Sequence, residues 1–191
     1  YSQKVRFFLI SNVYRTNMGN LRLNYLIKKL KQGKSQYFDE FYALTKGAVY
    51  YAAKTHVTGS DVEDVMQETY VKFLSVISSV DEKKNPLAFL YEIAKNKALD
   101  VTRKKSRTDT DVIVEEMQIG VNEVYSHDSP LMELCKKRLT ENEYFLLEKV
   151  VILGYKQKEV AAMLGEPIST VNHRYKTLVK KVKLLYKEAY A

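Results

Sequence analysis

The sequence predicts an all-α protein: two small helical domains joined by a flexible acidic linker, with a helix-turn-helix in the C-terminal domain. Glycine and proline, the residues that interrupt helices, number only 7 and 3 in 191 residues. Apolar residues recur at helical spacing on both sides of residues 108–130, a stretch in which that periodicity is poor. The same stretch contains six acids and no Lys or Arg. We therefore interpret it as a linker between two folded blocks.

Several classes of protein are disfavoured by composition. Cys135 is the only cysteine, so an intrachain disulfide is impossible. His56, His127 and His173 lie far apart and lack zinc-ligand spacing. No apolar run approaches the roughly 18 residues of a membrane helix. We expect no metal, no cofactor, no membrane insertion and a cytoplasmic location.

The net charge of +8 is compatible with a polyanionic partner. A soluble protein rich in lysine would show the same balance, so charge alone leaves both interpretations open. Removing the linker's −6 from +8 leaves +14 on the flanking blocks. The basic character therefore belongs to the folded parts.

The predicted organisation has four parts. Residues 1–17 form an N-terminal extension to which we assign no function, and residues 18–107 form the first domain. The linker spans 108–130, and residues 131–191 form the second domain. Within the first domain, a helix is expected over 21–31 and a second helix from near Ser35.

The third helix of the first domain has the strongest signal, in the stretch SDVEDVMQETYVKFLSVI. Ser60 or Asp61 is expected to cap its first turn, where acids also suit the helix dipole. Its buried stripe is predicted to include Phe73 and Leu74. A polar loop then leads to Pro86, which suits the first position of the next helix. That helix ends in a basic run.

The second domain contains KEVAAMLGEPISTVNHRY, which we interpret as a helix-turn-helix. Ala161 is small where two helices would cross, and Gly165 supplies a tight turn that a side chain would obstruct. Pro167 can start the second helix, and Val171 is the plug that packs between the two helices. An ordinary helical hairpin could share these spacings, and this alternative remains open on the spacing alone.

The second helix of that motif carries six Lys or Arg residues between positions 168 and 187 and no acid. A solvated helix usually mixes charges, whereas a helix of one sign repels itself unless a polyanion neutralises it. Its polar N-terminal side chains can donate to base edges and phosphates in a major groove. The candidate DNA contacts are Ser169, Thr170, Asn172, His173, Arg174, Lys176, Lys180 and Lys181.

Two blocks together resemble bacterial RNA polymerase sigma factors. DVEDVMQETYVKFL followed by NPLAFLYEIAKNKALDVTRKKSR resembles their second conserved region. LTENEYFLLEKVVILGYKQKEVAAMLGEPISTVNHRYKTLVKKVKLL resembles their fourth. The blocks stand in family order over most of residues 20–187. Because the linker is too short for a third domain, the chain resembles the extracytoplasmic-function (ECF) class.

The resemblance implies two sites in the first domain. One helix face would dock on RNA polymerase core through Asp61, Glu63, Asp64, Gln67 and Glu68. A loop and the helix after it would bind the opened −10 element through Asp81, Lys83, Lys84, Asn85, Tyr91, Lys95, Asn96, Arg103, Lys104 and Arg107. A helix cap with a solvated acidic turn, and a merely solvated loop, are the plainer alternatives for these two groups. Phe89 is expected in the core, and Tyr91 is the better candidate for an exposed ring.

In the second domain, the resemblance implies that the basic helix reads the −35 element. Asn172 and His173 depart from the commoner family residues, and Glu166 occupies a turn position that is usually apolar. Ile168 is a candidate to compensate for Glu166. The −35 sequence therefore cannot be taken from relatives.

The function implied is promoter recognition and strand opening as a sigma factor, without catalysis by this chain. The implied partners are RNA polymerase core, promoter DNA and an anti-sigma factor. A stand-alone helix-turn-helix regulator is the first alternative. A metal-dependent nuclease that uses Asp64 is the second, but the acids crowd one helix end without a second ligand group.

Overall fold

The computed structural model describes residues 21–81, 84–108 and 130–190, with side chains described up to Lys105 in the middle segment. All regular secondary structure in these ranges is helical. The predicted all-α class is therefore confirmed. The chain divides into two compact units, of which one contains the described residues from Leu23 to 108 and the other residues 130–190. The predicted extension 1–17 and nearly all of the predicted linker lie outside the described residues.

The first unit contains four helices and two short 3-10 turns. Helix α1 spans residues 21–31 and is followed by a 3-10 turn at Ser35–Tyr37. Helices α2 and α3 span Phe38–Lys54 and Asp61–Ser75, and a 3-10 turn follows at Ile77–Ser79. Helix α4 spans Pro86–Thr108, so Pro86 is its first residue as predicted. Within the described residues, no helix combines the length and the apolar character needed to cross a membrane.

Aromatic rings form much of the first unit's core. Phe41 of α2 stacks on Phe73 of α3 with ring centroids 5.1 Å apart. Tyr70 meets Phe41 edge-on, and its hydroxyl lies 3.0 Å from Thr45 Oγ1. Burial raises the pKa of Tyr70 far above its usual value. These contacts hold α3 against α2 and leave the other face of α3 exposed.

The predicted cap of α3 is wrong. Ser60 precedes the helix in helical backbone geometry and accepts no capping hydrogen bond through its side chain. The carbonyls of Gly59 and Ser60 instead accept from the N–H groups of Val62, Glu63 and Asp64. A preceding turn thus satisfies donors that a side chain would otherwise cap. The predicted burial of Leu74 is also wrong, because this side chain is 39% exposed.

The second unit has four further helices. Helix α5 spans Pro130–Arg138, and α6 spans Glu141–Leu147 and continues into a π-helical turn at Glu148–Ile152. A capping box at Thr140 and Glu143 starts α6. Helices α7 and α8 span Gln157–Leu164 and Ile168–Ala189. The buried core includes Cys135, whose thiol pKa burial raises to about 11.

The corner between α7 and α8 follows from the backbone of Gly165. This residue has a φ of 64°, in the left-handed region that favours glycine. Its N–H donates to Ala162 O, and the N–H of Glu166 donates to Ala161 O, which is the Schellman arrangement. A Cβ at Gly165 would meet nothing within 4 Å. The predicted reason for glycine, steric obstruction, is therefore wrong, and the backbone conformation is the reason.

The two helices pack through the predicted small residue and plug. Ala161 and Val171 are buried, with Val171 fully so. Pro167 precedes α8 in an extended conformation rather than forming its first residue. Ile168 is 51% exposed, so it does not compensate for Glu166 by entering the core. The motif is thus two separate helices joined by a tight turn.

Candidate nucleic-acid interface

The acidic face of α3 divides into two sets of side chains. Glu63, Asp64 and Gln67 are exposed. Asp61 is half-buried, and its Oδ2 lies 2.6 Å from Lys105 Nζ on α4. Glu68 is exposed, and its Oε2 lies 2.7 Å from Lys97 Nζ.

The two ion pairs have a consequence for the predicted polymerase contacts. Hydrogen bonding from Lys97, aided by its charge, lowers the pKa of Glu68 below its ordinary value. The carboxylates of Asp61 and Glu68 already meet cations of their own chain. A partner protein would therefore meet the charges of Glu63 and Asp64 more directly.

The loop before α4 is anchored at both ends. Val80 is buried, and Lys31 Nζ at the end of α1 donates to its carbonyl. Asn85 Oδ1 accepts from Ala88 N at 3.1 Å, so the Asn85 side chain supports the start of α4. Asp81 and Lys84 are exposed between these anchors, and Lys84 N donates to Asp81 O. Lys83 lies outside the described residues.

The predicted placement of two α4 rings is wrong in both directions. Tyr91 is 5% exposed and packs against Tyr51 with ring centroids 6.2 Å apart. Phe89 is 43% exposed and lies at the edge of the core, with its ring centroid 6.3 Å from the ring centroid of Phe73. The two positions are two residues apart on a helix and so face different directions. The spacing of Phe89 also fits an apolar stripe, which is why the sequence pattern favours the core for it.

The rest of α4 carries the side chains that are predicted to contact the DNA backbone. Asn96, Arg103 and Lys104 are exposed, whereas Lys95 is half-buried. Arg103 Nη1 lies 3.5 Å from Asp100 Oδ1, a long and exposed pair. The side chain of Arg107 lies outside the described residues. The described cations thus extend from the middle of α4 toward its C-terminal end.

Helix α8 presents two faces. Tyr175, Leu178, Val182 and Leu185 are buried with Val171 on the face toward the unit's core. Burial raises the pKa of Tyr175 to about 12. Polar candidates lie on the opposite side or at its edges: Ser169, His173, Arg174, Lys176 and Lys180 are exposed, whereas Thr170 and Asn172 are half-buried.

Two of the predicted −35 contacts form ion pairs within the second unit. Lys181 Nζ lies 2.7 Å from Oε2 of Glu143, the capping residue of α6. Arg174 Nη1 lies 2.7 Å from both carboxylate oxygens of Glu166 in the turn. This ion pair holds the side chain of Lys181 against α6. Arg174 remains at the exposed N-terminal part of α8.

Comparison with known proteins bears on the first unit. Residues 41–108 match the family model of Sigma-70 region 2. The match begins in α2 and includes all of α3 and α4, and therefore the acidic face, the loop and Phe89. It relates this part of the chain to sigma factors. It covers less than half of the chain and does not extend to the helix-turn-helix.

A solved structure described as CnrH in complex with the cytosolic domain of CnrY is 23% identical in sequence. The alignment covers 86% of this chain and 97% of that one, with a TM-score of 0.46. At that identity and score the likeness carries no weight for function. No curated protein matches the chain. In the described ranges, no group of three His, Cys, Asp or Glu side chains is arranged to hold a metal ion.

Proposed function

We propose that the protein is a sigma factor of the ECF class, which directs RNA polymerase core to specific promoters and promotes opening of the −10 element. The observation that carries this proposal is the match of residues 41–108 to Sigma-70 region 2. The basic α8 in the second unit, held in a helix-turn-helix corner, supports a second DNA contact. Residues 18–107 and 131–191 are the two proposed functional domains.

The core-binding surface in this proposal is the exposed part of α3. Glu63, Asp64 and Gln67 offer two charges and an amide on a rigid helix that the aromatic core holds in place. Such a surface suits a basic partner, since complementary charges speed association and fix orientation. Asp61 and Glu68 would act at its edge, where their lysine partners moderate their charge.

Strand opening would follow from differential binding. The loop of Asp81 and Lys84 and the exposed Phe89 offer polar edges and a ring to an unstacked base. Stacking on an aromatic side chain contributes about 1–3 kcal/mol per base, comparable to the few kcal/mol that unstacking costs. Phe89 replaces Tyr91 as the candidate ring because Tyr91 is buried. The exposed Arg103 and Lys104 would bind the backbone of the opened strand.

The second unit would bind the −35 duplex. The N-terminal part of α8 would enter the major groove, with Ser169, His173 and Arg174 toward the bases. Lys176 and Lys180 would bind phosphates. Two modest contacts joined in one chain gain effective concentration when both sites lie on one promoter. An anti-sigma partner and a cytoplasmic location remain predictions from the resemblance.

Run-off transcription with purified core polymerase and a genomic promoter library tests the proposal. Core enzyme with this chain should yield transcripts from a shared promoter pattern, and core enzyme alone should not. DNA binding without transcripts or core association would instead support a stand-alone helix-turn-helix regulator. DNA cleavage with Mg²⁺ that is lost in Asp64→Asn would support a nuclease.

A further inference from the structure

The carboxylate of Glu166 and the guanidinium of Arg174 form one unit at the corner of the helix-turn-helix. Nη1 of Arg174 lies 2.7 Å from Oε1 and 2.7 Å from Oε2. Among residues 21–81, 84–108 and 130–190, Arg174 donates only to Glu166 and only through Nη1. Its side chain is 48% exposed. The N–H groups on Nη2 and Nε therefore remain available to a ligand.

The backbone on both sides of this pair is fixed. The N–H of Glu166 closes the α7 cap on Ala161 O, next to Gly165 in its left-handed conformation. Arg174 lies between the buried Val171 and Leu178 along α8, and its neighbour Tyr175 is buried. Two charged side chains that meet from fixed backbones lose less entropy on pairing than two free surface side chains. The ion pair therefore favours side-chain conformations in which Glu166 occupies Nη1 and leaves the N–H groups on Nη2 and Nε for a ligand.

We propose that Glu166 is a positioning residue for DNA specificity, which turns Arg174 from a phosphate contact into a base contact. This inference rests on the proposed function, since it presumes that α8 binds duplex DNA. A carboxylate at Nη1 repels a nearby phosphate and satisfies that nitrogen. The remaining edge of the guanidinium matches the O6 and N7 acceptors of guanine, the commonest specific contact of arginine. The turn residue thus reduces non-specific affinity and favours readout of one guanine.

The test measures binding of the full chain to two duplexes by fluorescence anisotropy from 50 to 200 mM salt. One duplex carries the −35 sequence found by start-site mapping, and the other has the same composition in scrambled order. Glu166→Gln keeps the side-chain size and removes the charge. Glu133→Gln is the matched control, because Glu133 Oε1 pairs with Lys137 Nζ at 2.7 Å on α5 of the same unit.

Glu166→Gln should bind the scrambled duplex about five- to tenfold more tightly near 0.1 M salt, because Arg174 is then free to contact one more phosphate. Each such contact changes the slope of log affinity against log salt concentration by about −0.9. Its preference for the −35 duplex should fall correspondingly. Arg174→Ala should abolish the preference for guanine at one base pair while leaving the wild-type salt slope unchanged. Adding Arg174→Ala to Glu166→Gln should remove the gain on scrambled DNA.

Four outcomes would overturn the inference. An equal gain in Glu133→Gln would show a general charge effect. A shallower salt slope in Arg174→Ala would show that Arg174 binds phosphate in the wild type. If wild-type chain failed to distinguish the two duplexes even on core polymerase, the proposed function would fall with the inference. Wild-type discrimination that Glu166→Gln leaves intact would overturn the inference alone.

Discussion

Asp61 and Lys105 join the first residue of α3 to the C-terminal part of α4, with Oδ2 and Nζ 2.6 Å apart. The carboxylate is the more enclosed partner, with a side chain 22% exposed against 56% for the lysine. The pair links the proposed polymerase-binding helix to the proposed DNA-binding helix. The ion pair also makes Asp61 differ from Asp64, which lies one turn further along α3 and is exposed.

We expect Asp64→Asn to weaken binding to core polymerase about tenfold, since a hydrogen bond to a charged group contributes roughly 1.5–3 kcal/mol. Asp61→Asn should weaken it much less, because its carboxylate is already paired with Lys105. Competition binding to fluorescently labelled core enzyme measures both variants. Equal losses of affinity in the two variants would mean that Asp61 breaks its ion pair with Lys105 and contacts the polymerase itself.

Gly165 offers a test of the corner that separates backbone conformation from packing. Gly165→Ala should lower the free energy of unfolding by about 1–2 kcal/mol, the cost of a left-handed conformation for a residue with a Cβ. Gly165→Asn should cost less, because asparagine adopts this conformation more readily. Urea unfolding followed by circular dichroism measures both. Equal losses would indicate a clash, which the open space around the Cβ position argues against.

The helices and the helix-turn-helix corner can be predicted from the sequence because local signals determine them. Periodic apolar residues, Pro86 and Gly165 mark their extents to within a residue or two. The side on which a particular ring lies cannot be predicted in the same way. The sequence pattern places Phe89 in the core and Tyr91 at the surface, and the packing of α4 against α2 and α3 reverses both placements.

Ion pairs between residues distant in sequence are likewise invisible to local patterns. Asp61 and Lys105, Glu68 and Lys97, and Glu143 and Lys181 are far apart along the chain. The sequence therefore predicts the candidate site as a set of charges and does not indicate which of them are paired. Glu166 departs from the family pattern in the sequence itself, but its contact with Arg174 depends on the geometry of the turn.

Glu143 should make the stability of the second unit depend on pH. Its burial raises the pKa, but hydrogen bonds from Lys181 and Thr140, with the charge of Lys181, lower it overall. Because the pKa of Glu143 is lower in the folded state, its carboxylate stabilises the unit fully at a pH above the unfolded-state pKa of about 4.3. That stabilisation is lost as the pH falls through the folded-state pKa. Glu143→Gln should cost about 1–2 kcal/mol near pH 7, because glutamine can keep the capping-box bond to Thr140 but loses the charged hydrogen bond from Lys181.

The difference between Glu143→Gln and wild type should shrink as the pH falls below about 4. Urea unfolding at pH 7, 5 and 3 measures this, provided that the transition of the second unit is followed separately. Glu141→Gln is the matched control, because Glu141 is an exposed acid in the first turn of the same helix. A cost for Glu143→Gln that stays constant with pH would mean that its carboxylate charge is not what stabilises the unit.

Phe89 is the residue on which strand opening should depend most among the aromatic side chains of α4. Phe89→Ala should weaken binding of the −10 single strand by the holoenzyme about 5- to 100-fold, since stacking contributes roughly 1–3 kcal/mol per base. Permanganate reactivity of thymines in the −10 element should fall in parallel. Leu21→Ala is the control for loss of an exposed apolar side chain, because Leu21 is 69% exposed at the start of α1, outside the proposed binding surfaces. Unchanged permanganate reactivity in Phe89→Ala would exclude stacking of a −10 base on Phe89.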